Sequence, residues 1–308
     1  MITLETANKA LRDVYLAVAG NQLNVNIDPV LTKIKQTTSS VYGNEILVPV
    51  YINGKSYTLK SKLANIYAKL EISDKAIRCS QNSAGAFVNL LNDEMENLIK
   101  LTSMHILNAF YSEDKPHQYM SEEEKSNYQP LIFNGLKYLF DDNEELLYGV
   151  NREEIKPVTK TINKFDDASI QQLIDDYNED VNFIICSPKT KRDYMEYLNK
   201  NRRIIDLLEF EGGFKCIKFN GIIPISTNRN IPDNELYLIN TEDFKLHQLC
   251  DWTWIEGEDK SILRQVPSLP KYSAQLVKYA NYICDQPNKQ IKVIVKNEHT
   301  SDKDTETT

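Results

Sequence analysis

The sequence lacks the features that mark most chemistries. Its five cysteines (Cys79, Cys186, Cys216, Cys250 and Cys284) stand singly, with no Cys-x-x-Cys pair. That excludes the common zinc and dithiol motifs, and the odd count points to free thiols in a reducing compartment. The four histidines (His105, His117, His247 and His299) lie far apart, and none sits in a His-Glu-x-x-His pattern. Glycine is scarce, ten in 308 residues, and neither Gly212-Gly213 nor Gly221 opens a phosphate-binding loop. No apolar run approaches the ~18 residues of a membrane span. Met1-Ile-Thr-Leu-Glu5 has neither the basic region nor the apolar core of a secretion signal. Positive charge is also in deficit: 36 Lys and Arg against 44 Asp and Glu leave a net charge of −8. Generic nucleic-acid binding would therefore need a local basic patch. The best cluster, Lys189, Lys191, Arg192, Lys200, Arg202 and Arg203, is interrupted by Asp193 and Glu196 and reads as a solvated helix face.

What is present belongs to a soluble globular protein, 41% hydrophobic and 26% charged, long enough for one large or two medium domains. The dominant stretch is Ser83–Tyr111. Phe87, Leu91, Met95, Leu98 and Leu101 recur at three or four residues, and Val88, Ile99 and Ile106 widen the stripe. The spacing predicts one long helix, capped by Asn82 or Ser83 and covered on more than one side. At about 1.5 Å per residue it forms a strut on the order of 40 Å long.

Ahead of it, residues 4–18 read as an amphipathic helix with Leu4, Ala7, Leu11, Val14 and Val18 on one face, ended by Gly20. Asp28-Pro29 opens a short helix carrying Val30, Leu31 and Ile34. Polar stretches flank both, so these helices need the body or a neighbouring subunit to cover them. Glu45–Ile52 is a strand with Ile46, Val48, Val50 and Ile52 on one face, and Pro49 places it at an edge. Asn53-Gly54 is a hairpin turn, Lys55–Leu59 is the return strand, and Ala64, Ile66, Ala68, Leu70 and Ile72 alternate in a further strand. The ribbon is lysine-rich (Lys55, Lys60, Lys62), as suits a surface hairpin or an arm reaching a partner.

Beyond the long helix, residues 112–129 are acidic and read as an exposed loop. From Ser169 a helix, the apolar strand Val181–Cys186, a Ser187-Pro188-opened helix, and strands at Lys215–Phe219, Ile222–Ser226 and Glu235–Asn240 imply an inserted α/β lobe. From Leu246 the chain is strand-rich and has to pack on the long helix. Residues 296–308 carry no apolar content and are expected to be disordered.

Catalytic signals are weak. Cys186 ends a strand before a helix, where a nucleophile can stand, but Ser-Pro follows it in place of a small-residue elbow. It reads as a buried structural thiol. The pairs Asp141-Asp142, Asp166-Asp167 and Asp175-Asp176 fit caps and turns. No metal or cofactor set is present. Trp252 and Trp254 alternate on one strand and face the same side, anchoring either the core or an interface.

Three phrases in order resemble the major capsid proteins of tailed bacteriophages, the Hong Kong 97-like family. Phe183-Ile-Ile-Cys-Ser-Pro-Lys-Thr-Lys-Arg-Asp-Tyr-Met-Glu-Tyr-Leu198 is similar to the strand and helix of that family's axial lobe. Gly212-Gly-Phe-Lys-Cys-Ile-Lys-Phe-Asn-Gly-Ile-Ile-Pro-Ile225 is similar to the hairpin that follows. Leu236-Tyr-Leu-Ile-Asn-Thr-Glu-Asp-Phe-Lys-Leu246, with Asp251-Trp-Thr-Trp254, is similar to the return into the peripheral lobe.

The resemblance implies an α+β fold with an N-terminal arm (1–44), an extended-loop hairpin (45–72), a peripheral domain (73–145 and 246–295) with spine helix 83–111, and an axial domain (146–245). It implies a non-catalytic subunit that self-assembles into hexamers and pentamers of an icosahedral head, formed in the host cytoplasm and part of the virion. The head would enclose double-stranded DNA without sequence-specific binding, with a portal and a separate scaffolding protein as partners and no membrane. Lys55, Lys60, Lys62, Trp252 and Trp254 are its candidate intersubunit contacts. A glycine-rich insertion seen in many relatives is missing from the extended loop, and no cross-linking lysine–asparagine pair can be aligned. The alternatives are an encapsulin-like bacterial nanocompartment shell and a soluble α+β enzyme with Cys186 as nucleophile.

Overall fold

The computed structural model describes residues 4–25, 27–39, 41–80, 83–112, 131–201, 207–209 and 214–296. The acidic loop after Ser112, Asn82, His117, Arg202, Arg203, Gly212-Gly213, His299 and the C-terminal tail lie outside the described residues.

The long helix is Ala84–Tyr111. Ser83 caps it, its hydroxyl accepting the Ala86 N–H at 3.3 Å. Phe87, Leu91, Met95, Leu98, Thr102, Ile106 and Ala109 form its buried stripe. The steps of four, four, three, four, four and three follow the 3.6-residue period. Spacing from Leu98 predicts Leu101 on this face, but the next inward position is Thr102, whose hydroxyl is satisfied by the Leu98 carbonyl at 2.7 Å. Leu101 and Val88 are exposed.

The helix packs on strand Ala64–Ser73. Ala64, Ile66, Ala68, Leu70 and Ile72 are all buried while the intervening positions are exposed or half-exposed, as a period of two requires. This strand pairs antiparallel with the long strand Lys271–Cys284, which pairs on its other side with Phe244–Trp254. Lys35–Thr38 adds a parallel edge beside Lys245–Gln248.

The N-terminal segment departs from expectation. The helix continues through Gly20 to Val25, and residues Leu11–Tyr15 form a π turn in which the Leu16 N–H reaches back to the Leu11 carbonyl. The wider turn delays the phase, so that Ala7, Leu11, Ala19 and Leu23 line up as the buried face while Val14 and Val18 point to solvent. The region after Asp28 is a single 3-10 turn, Leu31–Lys33. The polar stretch read from Gln36 to Asn44 begins inside an edge strand, Lys35–Thr38. The segment lies on the long helix and on strand Phe244–Trp254 of its own chain. Asp28 fixes its midpoint, accepting the Val30 N–H at 2.8 Å and the Tyr111 hydroxyl at 2.7 Å.

The hairpin is Glu45–Ile52 and Lys55–Lys62, joined at Asn53-Gly54. Both turn residues have positive φ, 50° and 78°, as a type I′ turn demands. A second core gathers around a seven-stranded sheet in the order 207–209, 215–219, 223–227, 183–186, 235–239, 291–295 and 158–162. Helices Asp167–Tyr177 and Pro188–Lys200 contribute buried residues to it, among them Ile170, Leu173, Tyr194 and Leu198. Residues 291–295, grouped from the sequence with the peripheral strands, pair with Glu235–Ile239 and Val158–Ile162 in this second sheet. Ile291 and Val293 are buried in its core.

Candidate assembly surfaces

The two tryptophans are the chain's only ones, and both lie beneath the N-terminal helix. Trp252 Nε1 donates to Asn24 Oδ1 at 3.0 Å, and Trp254 Nε1 donates to the Leu11 carbonyl at 3.0 Å. The rings are 6% and 5% exposed. Sequence alternation places them on one face correctly, but their cover is their own chain. As docked, neither offers a surface to a neighbour. Around them the helix makes further polar ties. Asn8 Oδ1 accepts the Ile262 and Leu263 N–H groups at 3.2 and 2.7 Å, Arg12 pairs with Glu256 at 2.9 Å, and the Tyr15 hydroxyl donates to Asn92 at 2.5 Å.

Beside Trp252 sits a residue that sequence reasoning missed. Lys278, in the middle of strand Lys271–Cys284, is 1% exposed. Its ammonium donates to Asn24 Oδ1 at 2.8 Å, Gln36 Oε1 at 3.2 Å and Asp251 Oδ1 at 3.2 Å, and lies 5.8 Å from the Trp252 ring centroid. Burial pushes its pKa down, against the pull of Asp251. Burial alone would raise the Asp251 carboxyl, but Asn24, the Trp252 N–H and Lys278 outweigh it and hold the carboxyl below its ordinary range. The only sequence signal was a lysine inside the apolar run Leu276-Val-Lys-Tyr-Ala280.

The hairpin lysines divide. All three are exposed. Lys55 Nζ stands 3.7 Å from Glu154, whereas Lys60 and Lys62 line a cleft of about 1960 Å³ between the hairpin base, strand Ala64–Ser73 and the long helix. Tyr67, Leu101 and Ile132 also line this cleft and are 49%, 55% and 74% exposed. At the hairpin tip Tyr51 and, near its base, Tyr42 are exposed as well. Large apolar groups left open this way mark interaction surfaces.

The residues weighed for catalysis are accounted for structurally. Cys186 is fully buried, its sulfur 3.9 Å from the Ser226 carbonyl, and burial pushes its pKa up to about 12. A thiol held so far from ionisation is a poor nucleophile. Asp166 caps the helix after it by accepting the Ser169 N–H at 2.9 Å, and Asp141 accepts from Asn143. Among the described residues no His, Cys, Asp or Glu cluster is arranged to hold a metal. No described helix is long and apolar enough to cross a membrane.

No family model and no curated protein sequence matches the chain. Solved structures do. A chain of the satellite phage P4 procapsid including its size determination protein superposes with TM-score 0.51 at 14% identity, covering 92% of this chain and 91% of the other. The cyanophage A-1(L) capsid gives 0.55 at 11% identity, over 89% and 91%. The holo-SrpI encapsulin complex of Synechococcus elongatus PCC 7942 gives 0.53 at 11% identity, over 90% and 94%. The likeness spans nearly the whole length on both sides, so this chain has the Hong Kong 97-like α+β fold seen in phage capsid and encapsulin shell subunits.

Proposed function

We propose that this chain is the major capsid protein of a tailed bacteriophage, a structural subunit that self-assembles into hexamers and pentamers of an icosahedral head. The observation that carries the reading is the end-to-end match: about nine-tenths of this chain overlays about nine-tenths of shell subunits. The open apolar groups beside Lys60 and Lys62 support it, because a monomer gains nothing by exposing Leu101 and Ile132. In this reading residues 1–44 are the arm, 45–72 the extended loop, 73–145 and most of 246–295 the peripheral domain, and 146–245, joined by strand Ile291–Val295, the axial domain. Lys55, Lys60 and Lys62 are its exposed contact candidates, and Trp252 and Trp254 join them only where the N-terminal helix is undocked. The shell forms in the host cytoplasm, becomes part of the virion, and encloses double-stranded DNA without gripping it, as the net charge of −8 favours. A portal and a separate scaffolding protein complete the partner set.

A second reading, an encapsulin-like storage shell, is favoured by the likeness to the cyanobacterial encapsulin. One preparation separates the two. The purified full-length chain, alone and with its neighbouring gene products, is imaged by negative stain and its particles are assayed for contents. Closed particles with DNA support the capsid; closed particles with a protein cargo support the storage shell. A monomer at every concentration and salt tested refutes both.

A further inference from the structure

Four elements meet at the Lys278 ammonium. The strand Lys271–Cys284 supplies the lysine, the N-terminal helix supplies Asn24, the edge strand Lys35–Thr38 supplies Gln36, and strand Phe244–Trp254 supplies Asp251. An ammonium has three N–H donors, and here each has one acceptor. The Lys278 side chain is 2% exposed while that of Asp251 is 58% exposed, so the cation is sealed in and its counter-ion is at the surface. The seal is the N-terminal helix itself: Asn24 Nδ2 donates to Asp251 at 3.0 Å while its oxygen accepts from both Lys278 and Trp252.

No other tie of the helix reported above joins it to the edge strand as well as to the sheet. Two of the four residues on its buried face are alanines, and the Arg12–Glu256 pair is 42% and 40% exposed, where ion pairs contribute little. A buried cation also differs from a buried hydrophobe in what undocking gives back. When the segment leaves, the ammonium regains water, which offsets much of the lost bonding. A lysine at this position therefore permits release while tying it to every acceptor that shares the charge.

We propose that Lys278 is a latch that makes docking of the N-terminal helix and of the edge strand one event, so that the two leave the body together and uncover Trp252 and Trp254. The proposal concerns the folded subunit and stands or falls independently of shell assembly.

Hydrogen–deuterium exchange of the full chain tests it, with tryptophan emission as a second readout. Asn24→Ala removes one acceptor on the helix, and Gln36→Ala removes one on the strand. Each is expected to raise exchange in both elements, by about tenfold or more, as befits a lost bond to a charged group. Asn24→Ala is also expected to shift tryptophan emission to the red. In a Lys278→Met background the cross-effect is expected to vanish, so that Asn24→Ala loosens residues 16–25 alone. That background separates the latch from the covalent link between helix and strand. If either acceptor variant loosens only its own element, or if the cross-effect persists without the ammonium, the latch is refuted. Should Lys278→Met not fold, Lys278→Gln, polar and uncharged, supplies the background in which the cross-effect is expected to vanish.

Discussion

Gly135 offers the sharpest test of the packing described above. It precedes helix Leu136–Phe140 with φ −83°, a conformation any residue adopts. On conformational grounds alanine there would even help, by about 0.4–1 kcal/mol through the unfolded state. Space decides otherwise. A Cβ at this position would lie 2.1 Å from the Phe110 carbonyl oxygen, 2.6 Å from its Cα and 2.7 Å from its carbonyl carbon. All three are backbone atoms. To reach ordinary contact near 3.4 Å the oxygen would have to retreat by about 1.3 Å. Phe110 is fully buried, with the Tyr111, Tyr282 and Phe244 rings at 5.0, 4.9 and 6.3 Å from its own, so it has nowhere to go. Overpacking of a rigid core costs roughly 1–3 kcal/mol, which exceeds the conformational gain. Gly135→Ala should therefore lower stability by about 1–2 kcal/mol, a melting shift of several degrees for a chain of this size. Thermal denaturation followed by circular dichroism measures it. A Gly135→Ala chain that melts at or above the wild type would show that the end of the long helix is not pinned as described.

Reversing the charge of Lys55, Lys60 and Lys62 to glutamate should cut particle yield sharply while shifting the subunit's stability by no more than ~0.5 kcal/mol per site; normal particle yield removes these residues from the contact set. Titrated with a thiol reagent at pH 8, the native chain should expose Cys79 first and Cys250 more slowly. Cys186, pushed up to about 12, Cys216, up to about 11, and Cys284, also raised by burial, should react only on unfolding; labelling of native Cys186 would revive it as a nucleophile. His247 meets the Ser39 hydroxyl at 2.6 Å through Nδ1 and buries Nε2 without a partner. Burial lowers its pKa from the ordinary 6.5, Asp285 opposing and Lys245 reinforcing the shift. The unfolded chain then takes up the proton first, so stability falls as pH drops below 6.5, by up to about 1.4 kcal/mol per pH unit. Urea midpoints from pH 7.5 to 5.5 should fall more steeply for wild type than for His247→Gln; equal slopes would refute the assignment.

Elements whose period is written in their own residues were legible. The long helix, the alternating strand Ala64–Ser73 and the Asn53-Gly54 turn each carry a local signal that the structure keeps. What escaped depends on partners distant in sequence. Lys35–Thr38 has no apolar residue and exists as a strand because the backbone of Lys245–Gln248 runs beside it. The N-terminal face was assigned on a 3.6-residue period, and the π turn at Leu11–Tyr15 shifts that phase. For Trp252 and Trp254 the alternation fixed a shared side and gave no information on what covers it. Lys278 drew no reading from the sequence, because its acceptors come from residues 24, 36 and 251.

These misses move the weight of the assembly reading from one part of the chain to another. With the N-terminal helix docked on its own subunit, Ala7, Leu11, Ala19 and Leu23 are already covered, and in the proposed assembly an interface of about 800 Å² per partner draws mainly on other open groups. The hairpin and the cleft at its base supply the open groups: Tyr42 at 70%, Tyr51 at 67%, Leu101 at 55% and Ile132 at 74% exposure. The hairpin is also tied to its own body near the tip by bonds among exposed groups, Tyr57 to Glu154 at 2.8 Å, Gln286 to the Tyr51 carbonyl at 3.0 Å and Asn288 to Asn53 at 3.0 Å. Each such bond exchanges for water at little cost. By contrast Ile46, Ile52 and Leu59 are fully buried, so the ribbon keeps its hydrophobic seat while its rim is free to trade partners. In the proposed assembly, a subunit built this way would reach a neighbour by exchanging rim bonds, with its N-terminal helix still docked on its own body.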